Sequence, residues 1–135
     1  MTLRIPLLLL GLLALLVSGE TRAAADDEAR AGVATQLIAQ LRDGEFEAAQ
    51  AQFDAGMRQA LPPERLRQTW EGLTAQAGGL VGFEAAGASD HQGYRIHHVA
   101  CSFERMSLIA DVVFDGEGRI AGLFFRPAVV ETSEM

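Results

Sequence analysis

The chain changes its hydrophobic period twice. From Ile5 to Val17 it is almost continuously apolar. From Asp26 to Ala77 apolar residues recur every three or four positions, the spacing of a helix with one buried face. From Leu80 to Arg126 they alternate, the spacing of half-buried strands. The helical part divides into three. Asp26–Arg42 carries Val33, Ala34, Leu37, Ile38 and Leu41 on one stripe and stops at Asp43-Gly44. Glu45 to Gln59 predicts a second helix through Phe46, Ala49, Phe53 and Met57. Pro62-Pro63 restarts the chain, since proline suits a first helical turn. A third helix, Pro63 to Ala77, follows with Leu66, Trp70, Leu73 and Ala77 on one side. These aromatic residues read as core.

Four strands are predicted: Leu80–Ala86, Tyr94–Phe103, Leu108–Phe114 and Arg119–Arg126. Gly87 to Gly93 reads as a turn. Asp115 to Gly118 reads as a hairpin turn. Closing the hairpins symmetrically places Val112 opposite Val99 and Ala121, and Ala110 opposite Cys101 and Leu123. Side chains alternate between faces. One face then holds Val99, Cys101, Phe103, Leu108, Ala110, Val112, Ala121, Leu123 and Phe125, all apolar, which the helices should cover. The other holds His98, Ala100, Ser102, Ile109, Asp111, Val113, Ile120, Gly122 and Phe124. It is too apolar for an ordinary solvated face and marks an interaction surface. Asp111 falls between Ala100 and Gly122 in this register, and a bulge would shift it. Helices followed by an antiparallel meander make an α+β domain.

Composition changes the picture at the amino terminus. Arg4, the apolar run and Ala23-Ala24-Ala25 form a signal peptide with an A-x-A cleavage site. The run is shorter than the roughly 20 residues of a membrane span. The expected division is a signal peptide at 1–25, one domain at 26–127 and a short acidic tail at 128–135. The protein would be exported, periplasmic or secreted, with no stable membrane anchor after cleavage. The net charge of −7, without a single lysine, makes nucleic acid and anionic membranes poor partners. Cys101 is the one cysteine, so no internal disulfide forms, and its alternating apolar setting implies a buried, inert thiol.

The order and spacing of several segments resemble the bacterial family called domain of unknown function 3887. They are Asp43-Gly44-Glu45-Phe46-Glu47-Ala48-Ala49, Phe53-Asp54, Leu61-Pro62 with Leu66 and Trp70, Gly78-Gly79, Phe114-Asp115, and Ile120 to Pro127. The resemblance covers about Val33 to Pro127. It implies the nuclear transport factor two-like superfamily, also called SnoaL-like or cystatin-like. That fold is a curved antiparallel sheet of about four strands rolled as a cone around helices, commonly dimeric. In some family members the domain precedes an α/β-hydrolase. No catalytic residue carries over, because the isomerase pattern of that superfamily has no counterpart here.

Candidate chemistry is sparse. His97 and His98 point to opposite faces and cannot chelate together. Ser89-Asp90-His91 are consecutive and, as neighbours, cannot converge as a triad. No nucleophile elbow, phosphate loop or calcium loop occurs. No metal and no cofactor is implied. Asp111, with His98 on the same face, is the acid to watch, either as a base with a raised pKa or paired with Arg119 or Arg126. The expectation is an exported binding or dimerisation module, a homodimer or partner-docking domain that holds a small apolar ligand. Its candidate residues are Asp111, His98, Ser102, Gly122 and Phe124. The alternatives are an isomerase or lyase using Asp111, and an accessory domain of a separate α/β-hydrolase.

Overall fold

The computed structural model describes the backbone of residues 5–128 and the side chains from residue 23 onward. Most of the expected signal peptide and all of the tail beyond Ala128 lie outside the described side chains. Helices precede a four-stranded antiparallel sheet, so the α+β reading stands. Helix α1 spans Ile5–Arg42. It starts well before Asp26, because Ala23-Ala24-Ala25 favours helix and nothing around it interrupts the turn. Among the described residues no helix is long and apolar enough to cross a membrane.

The expected second helix is broken. It consists of α2 (Phe46–Ala49), a 3-10 turn (Gln50–Gln52) and α3 (Ala55–Ala60). The break lies at Phe53, whose ψ of 145° is extended. Phe53 forms a parallel bridge to Ile120, and Asp54 N–H donates to the Ile120 carbonyl at 2.9 Å. Asp54 then caps α3 by accepting from Met57 N–H at 2.8 Å. The pull of the sheet plus a good cap outweighs helical continuity.

Helix α4 spans Pro63–Ala77. Trp70 fixes it to the sheet, with its ring 5.9 Å from Phe103 and 6.1 Å from Phe125. Its carboxyl end is closed by the turn at Glu104-Arg105-Met106. Arg105 donates through its guanidinium to Ala75 and Gln76 carbonyls and through its backbone N–H to the Ala77 carbonyl. A cation there complements the helix dipole. Gly78 has φ +89°, and a Cβ on it would meet Glu104 Cβ at 2.6 Å, so only glycine allows this approach.

The strands are β1 (Leu80–His91), β2 (Tyr94–Phe103), β3 (Ser107–Phe114) and β4 (Ile120–Pro127), in spatial order β1-β2-β3-β4. Strand β1 runs five residues past its expected end. The turn is only Gln92-Gly93, both at positive φ, which matches the twist of a tight hairpin. In the two later hairpins the register differs by two residues from the symmetric one. Val99 faces Ala110, and Ala110 faces Phe125. An even shift leaves each side chain on its expected face. The exception follows a bulge in β4, where Phe114 pairs with Ile120 and Gly122 with Val113. The bulge turns Ile120 inward, where it is fully buried instead of facing out.

Helices α1, α3 and α4 cover the inner sheet face. The core joins Ala34, Leu37, Ile38 and Leu41 of α1 with Phe53, Met57, Leu66 and Trp70, and with Val99, Cys101, Ala110, Val112 and Phe114 of the sheet. Cys101 is free and buried, and burial pushes its thiol up to about 11, as an inert packing residue requires.

Candidate functional site

The outer sheet face carries a row of polar side chains that crosses the strands. Asp111 on β3 stands between His98 and Phe124, not between Ala100 and Gly122. His98 Nδ1 lies 2.7 Å from Asp111 Oδ1. Arg126 Nε donates to Asp111 Oδ2 at 2.8 Å, and a second guanidinium nitrogen reaches Oδ1 at 3.3 Å. On the other side of the imidazole, His98 Nε2 lies 3.1 Å from Ser89 Oγ. Of the two arginines expected as partners for Asp111, Arg126 is the one that pairs with it.

Burial alone would raise the Asp111 carboxyl. The hydrogen bonds from Arg126 and His98 outweigh that and hold it below the ordinary carboxylate range. It is therefore a firmly ionised acceptor. A base with a raised pKa, the chemistry considered from sequence, is not what this geometry makes.

The other expected residues do not join this row. Ser102 is exposed at the far end of β2, opposite Ser107. Gly122 is buried under Phe124, with the ring 3.0 Å from where its Cβ would stand. Phe124 is 62 % exposed. It forms the mouth of a groove of about 400 Å³ between α4 and β4, walled by Leu73, Leu123 and Phe125. Inside that groove, against Trp70, Leu41 and Leu66, lies an apolar void of about 40 Å³.

A second polar cluster occupies the inner rim. Arg95 grips both carboxylate oxygens of Asp27 at 3.0 and 2.8 Å and reaches Asp90 at 3.0 Å. The Arg95 hydrogen bond holds the Asp27 carboxyl below its usual range. His97, 4 % exposed, sits beneath this pair with its ring edge-on to Phe114. Its Nε2 lacks a hydrogen-bond partner, and Asp27 Oδ1 at 3.4 Å is outside bonding geometry. Burial lowers the His97 pKa, so the ring is neutral near pH 7. A hollow of about 350 Å³ opens here between α1 and β1, with small walls at Ala31, Ala85 and Ala88. Among the described residues no group of three or more acidic, histidine or cysteine side chains could hold a metal.

Sequence reasoning missed Ser89 and Arg95. Ser89 lies in a glycine-containing polar stretch that predicts a turn, and the extension of β1 together with its bulge brings it beside His98. Arg95 could have been found, because it is an arginine near the start of a strand whose alternation puts it on the inner face with His97 and Val99.

Known proteins add one finding. A family model described as "Protein of unknown function (DUF3887)" matches residues 34–123. No curated protein matches the chain, and no solved structure does.

Proposed function

The chain belongs to the family of proteins of unknown function DUF3887, and we propose that it is an exported binding module holding a small apolar ligand between α4 and β4. One observation carries this reading. Phe124 is 62 % exposed at the mouth of a groove whose walls are Leu73, Leu123 and Phe125. At about 400 Å³ the groove falls within the range of small-molecule sites. The inner void of about 40 Å³ accepts little more than a methyl group or one water. A ligand therefore lies in the groove and inserts only its tip toward Trp70.

Trp70 is the single tryptophan and reports on that tip. The neutral fluorescent probe N-phenyl-1-naphthylamine should bind the mature protein saturably, with energy transfer from Trp70. Leu73→Glu should weaken it at least about tenfold, or ~1.4 kcal/mol. Phe124→Ser, at an exposed position, serves as a second variant where Leu73→Glu disturbs folding. Non-saturable binding, or equal binding by folded variants, would end the groove reading.

The outer face supports a second reading, the pairing of two copies. Phe124 stands there beside half-buried Ile109 and Val113. Four strands of about eight residues present roughly 500 Å² per copy from strand spacing and rise, near the lower edge of a specific interface. Light scattering of wild type and Phe124→Asp tests it: a dimer that becomes a monomer supports pairing, and a wild-type monomer at micromolar concentration rejects it.

A further inference from the structure

Three side chains from three strands meet on the outer face in the atom order of an activated nucleophile. Ser89 Oγ is 3.1 Å from His98 Nε2, and His98 Nδ1 is 2.7 Å from Asp111 Oδ1. Ionised Asp111 can only accept, so Nδ1 carries the proton and Nε2 presents its lone pair. Nε2 therefore faces Ser89 as a base, with its tautomer fixed by the carboxylate. Arg126 anchors that carboxylate from the other side at 2.8 Å.

The backbone is built to make this meeting. Ala85 pairs with Val99 and Ala88 with His97, so Ala86 and Gly87 together oppose His98. That is a bulge of one extra residue, with Gly87 at φ +96°. Ala85 points inward with Val99. By simple alternation Ser89, four residues on, would point inward too. The bulge reverses the parity beyond it and turns Ser89 outward onto His98. The relay thus depends on a local backbone irregularity placed opposite its own histidine.

We infer that Ser89 is a nucleophile for acyl transfer, with His98 as its general base, Asp111 as the residue positioning His98, and small activated esters as substrates. Ser89 Oγ forms a bond to the ester carbonyl carbon while its proton passes to His98 Nε2. The tetrahedral adduct then expels the alcohol oxygen, which takes that proton from Nε2. An acyl-Ser89 ester remains. Water, giving a proton to the same nitrogen, attacks the acyl carbon; the bond from that carbon to Ser89 Oγ then breaks, Oγ takes the proton back from Nε2, and the carboxylic acid leaves with the serine restored. The open face imposes little selection on the acyl group, so short aryl esters such as p-nitrophenyl acetate are the fitting substrates. A positioned base contributes roughly 100-fold or more to such a step.

The test is labelling of the mature protein in its own oligomeric state with a small fluorophosphonate, followed by peptide mapping. Ser102 is the internal control, an exposed serine on the same sheet face that has no histidine partner. The expected result is one phosphonyl adduct, on Ser89, absent in Ser89→Ala. His98→Gln should slow both labelling and p-nitrophenyl acetate turnover about 100-fold and remove the ascending limb of the pH–rate profile. Asp111→Glu, still an acceptor for Nδ1, should retain more rate than Asp111→Asn. No adduct, as an outer face buried between two copies would give, overturns the assignment. So does labelling of Ser102 as fast as Ser89, or an unchanged rate in folded His98→Gln. Each result is independent of the groove, where probe binding is read through Trp70.

Discussion

His97 and His98 are neighbours in the chain and opposites in the structure. His97 faces inward, 4 % exposed, and its Nε2 has no partner. His98 faces outward, and both of its ring nitrogens are engaged, one by Asp111 and one by Ser89. Strand alternation separates them by one peptide unit and puts a sheet between them. The inner face excludes water and tolerates a polar group only at a cost. The outer face keeps water near, so it can assemble polar groups into a working row. The inner face holds the fold together, and the outer face is where chemistry can be placed without endangering it.

The same contrast should be largest for phenylalanine. Phe53 is fully buried and bridges the helical layer to Ile120. Phe124 is 62 % exposed. Phe53→Ala should cost about 3–5 kcal/mol, the usual range for an aromatic truncated in a core. Phe124→Ala should stay within about 0.5 kcal/mol. Urea denaturation of both variants checks this. Equal losses would mean that the two faces do not differ as the burial implies.

Much of this division could be read from the chain before any coordinates. The assumed hairpins were off by two residues, yet Val99, Cys101, Leu108, Ala110 and Val112 still fell inward, because an even shift preserves parity. Parity failed where a strand carries an extra residue. The β4 bulge sent Ile120 to the core, and the β1 bulge sent Ser89 outward to His98. Neither bulge has a distinctive local signature, since glycine serves turns and bulges alike. Phe53 misled for a different reason. Its spacing from Phe46, Ala49 and Met57 suits a helix, but its burial is achieved in extended backbone against Ile120. Asp54, a capping residue followed by a short helix, was the legible sign of that break. Asp111 was legible as an outer-face acid with Arg119 or Arg126 as its partner, but only the real register shows that Arg126 is the one within reach.

The buried histidine also predicts a sensitivity to acid. The folded-state pKa of His97 lies below its unfolded value of about 6.5. The unfolded chain then binds more protons as pH falls below 6.5, so folding stability is lost in that direction. His97→Leu removes both this term and the unpartnered nitrogen. It should be neutral to about 1 kcal/mol stabilising at pH 7, with a flatter stability curve from pH 7 down to pH 5. Asp27 and Asp111 are depressed carboxylates. Their contribution is present above the ordinary value of 3.8 and declines only as pH falls below it. Chemical denaturation at pH 7, 6 and 5 isolates the histidine. An unchanged slope in His97→Leu would place the acid sensitivity elsewhere.

The smallest expected effect lies at Gly122, where the outer face is tightest. A Cβ there would stand 3.0 Å from the Phe124 ring and 3.4 Å from Val113 Cβ and Cγ2. The backbone of Gly122 needs no positive φ, so alanine brings no torsional strain and a smaller unfolded-state entropy. What must yield is the ring, and Phe124 is exposed and free to turn. The two contributions nearly cancel, so Gly122→Ala should change stability by less than about 1 kcal/mol. The displaced ring should nonetheless alter the mouth of the α4–β4 groove, seen as changed probe affinity through Trp70 at almost constant stability. A loss of several kcal/mol would instead show that Phe124 is held rigidly on Gly122. The outer face would then be packed like the inner one, and the contrast between His97 and His98 would no longer be a contrast between two kinds of surface.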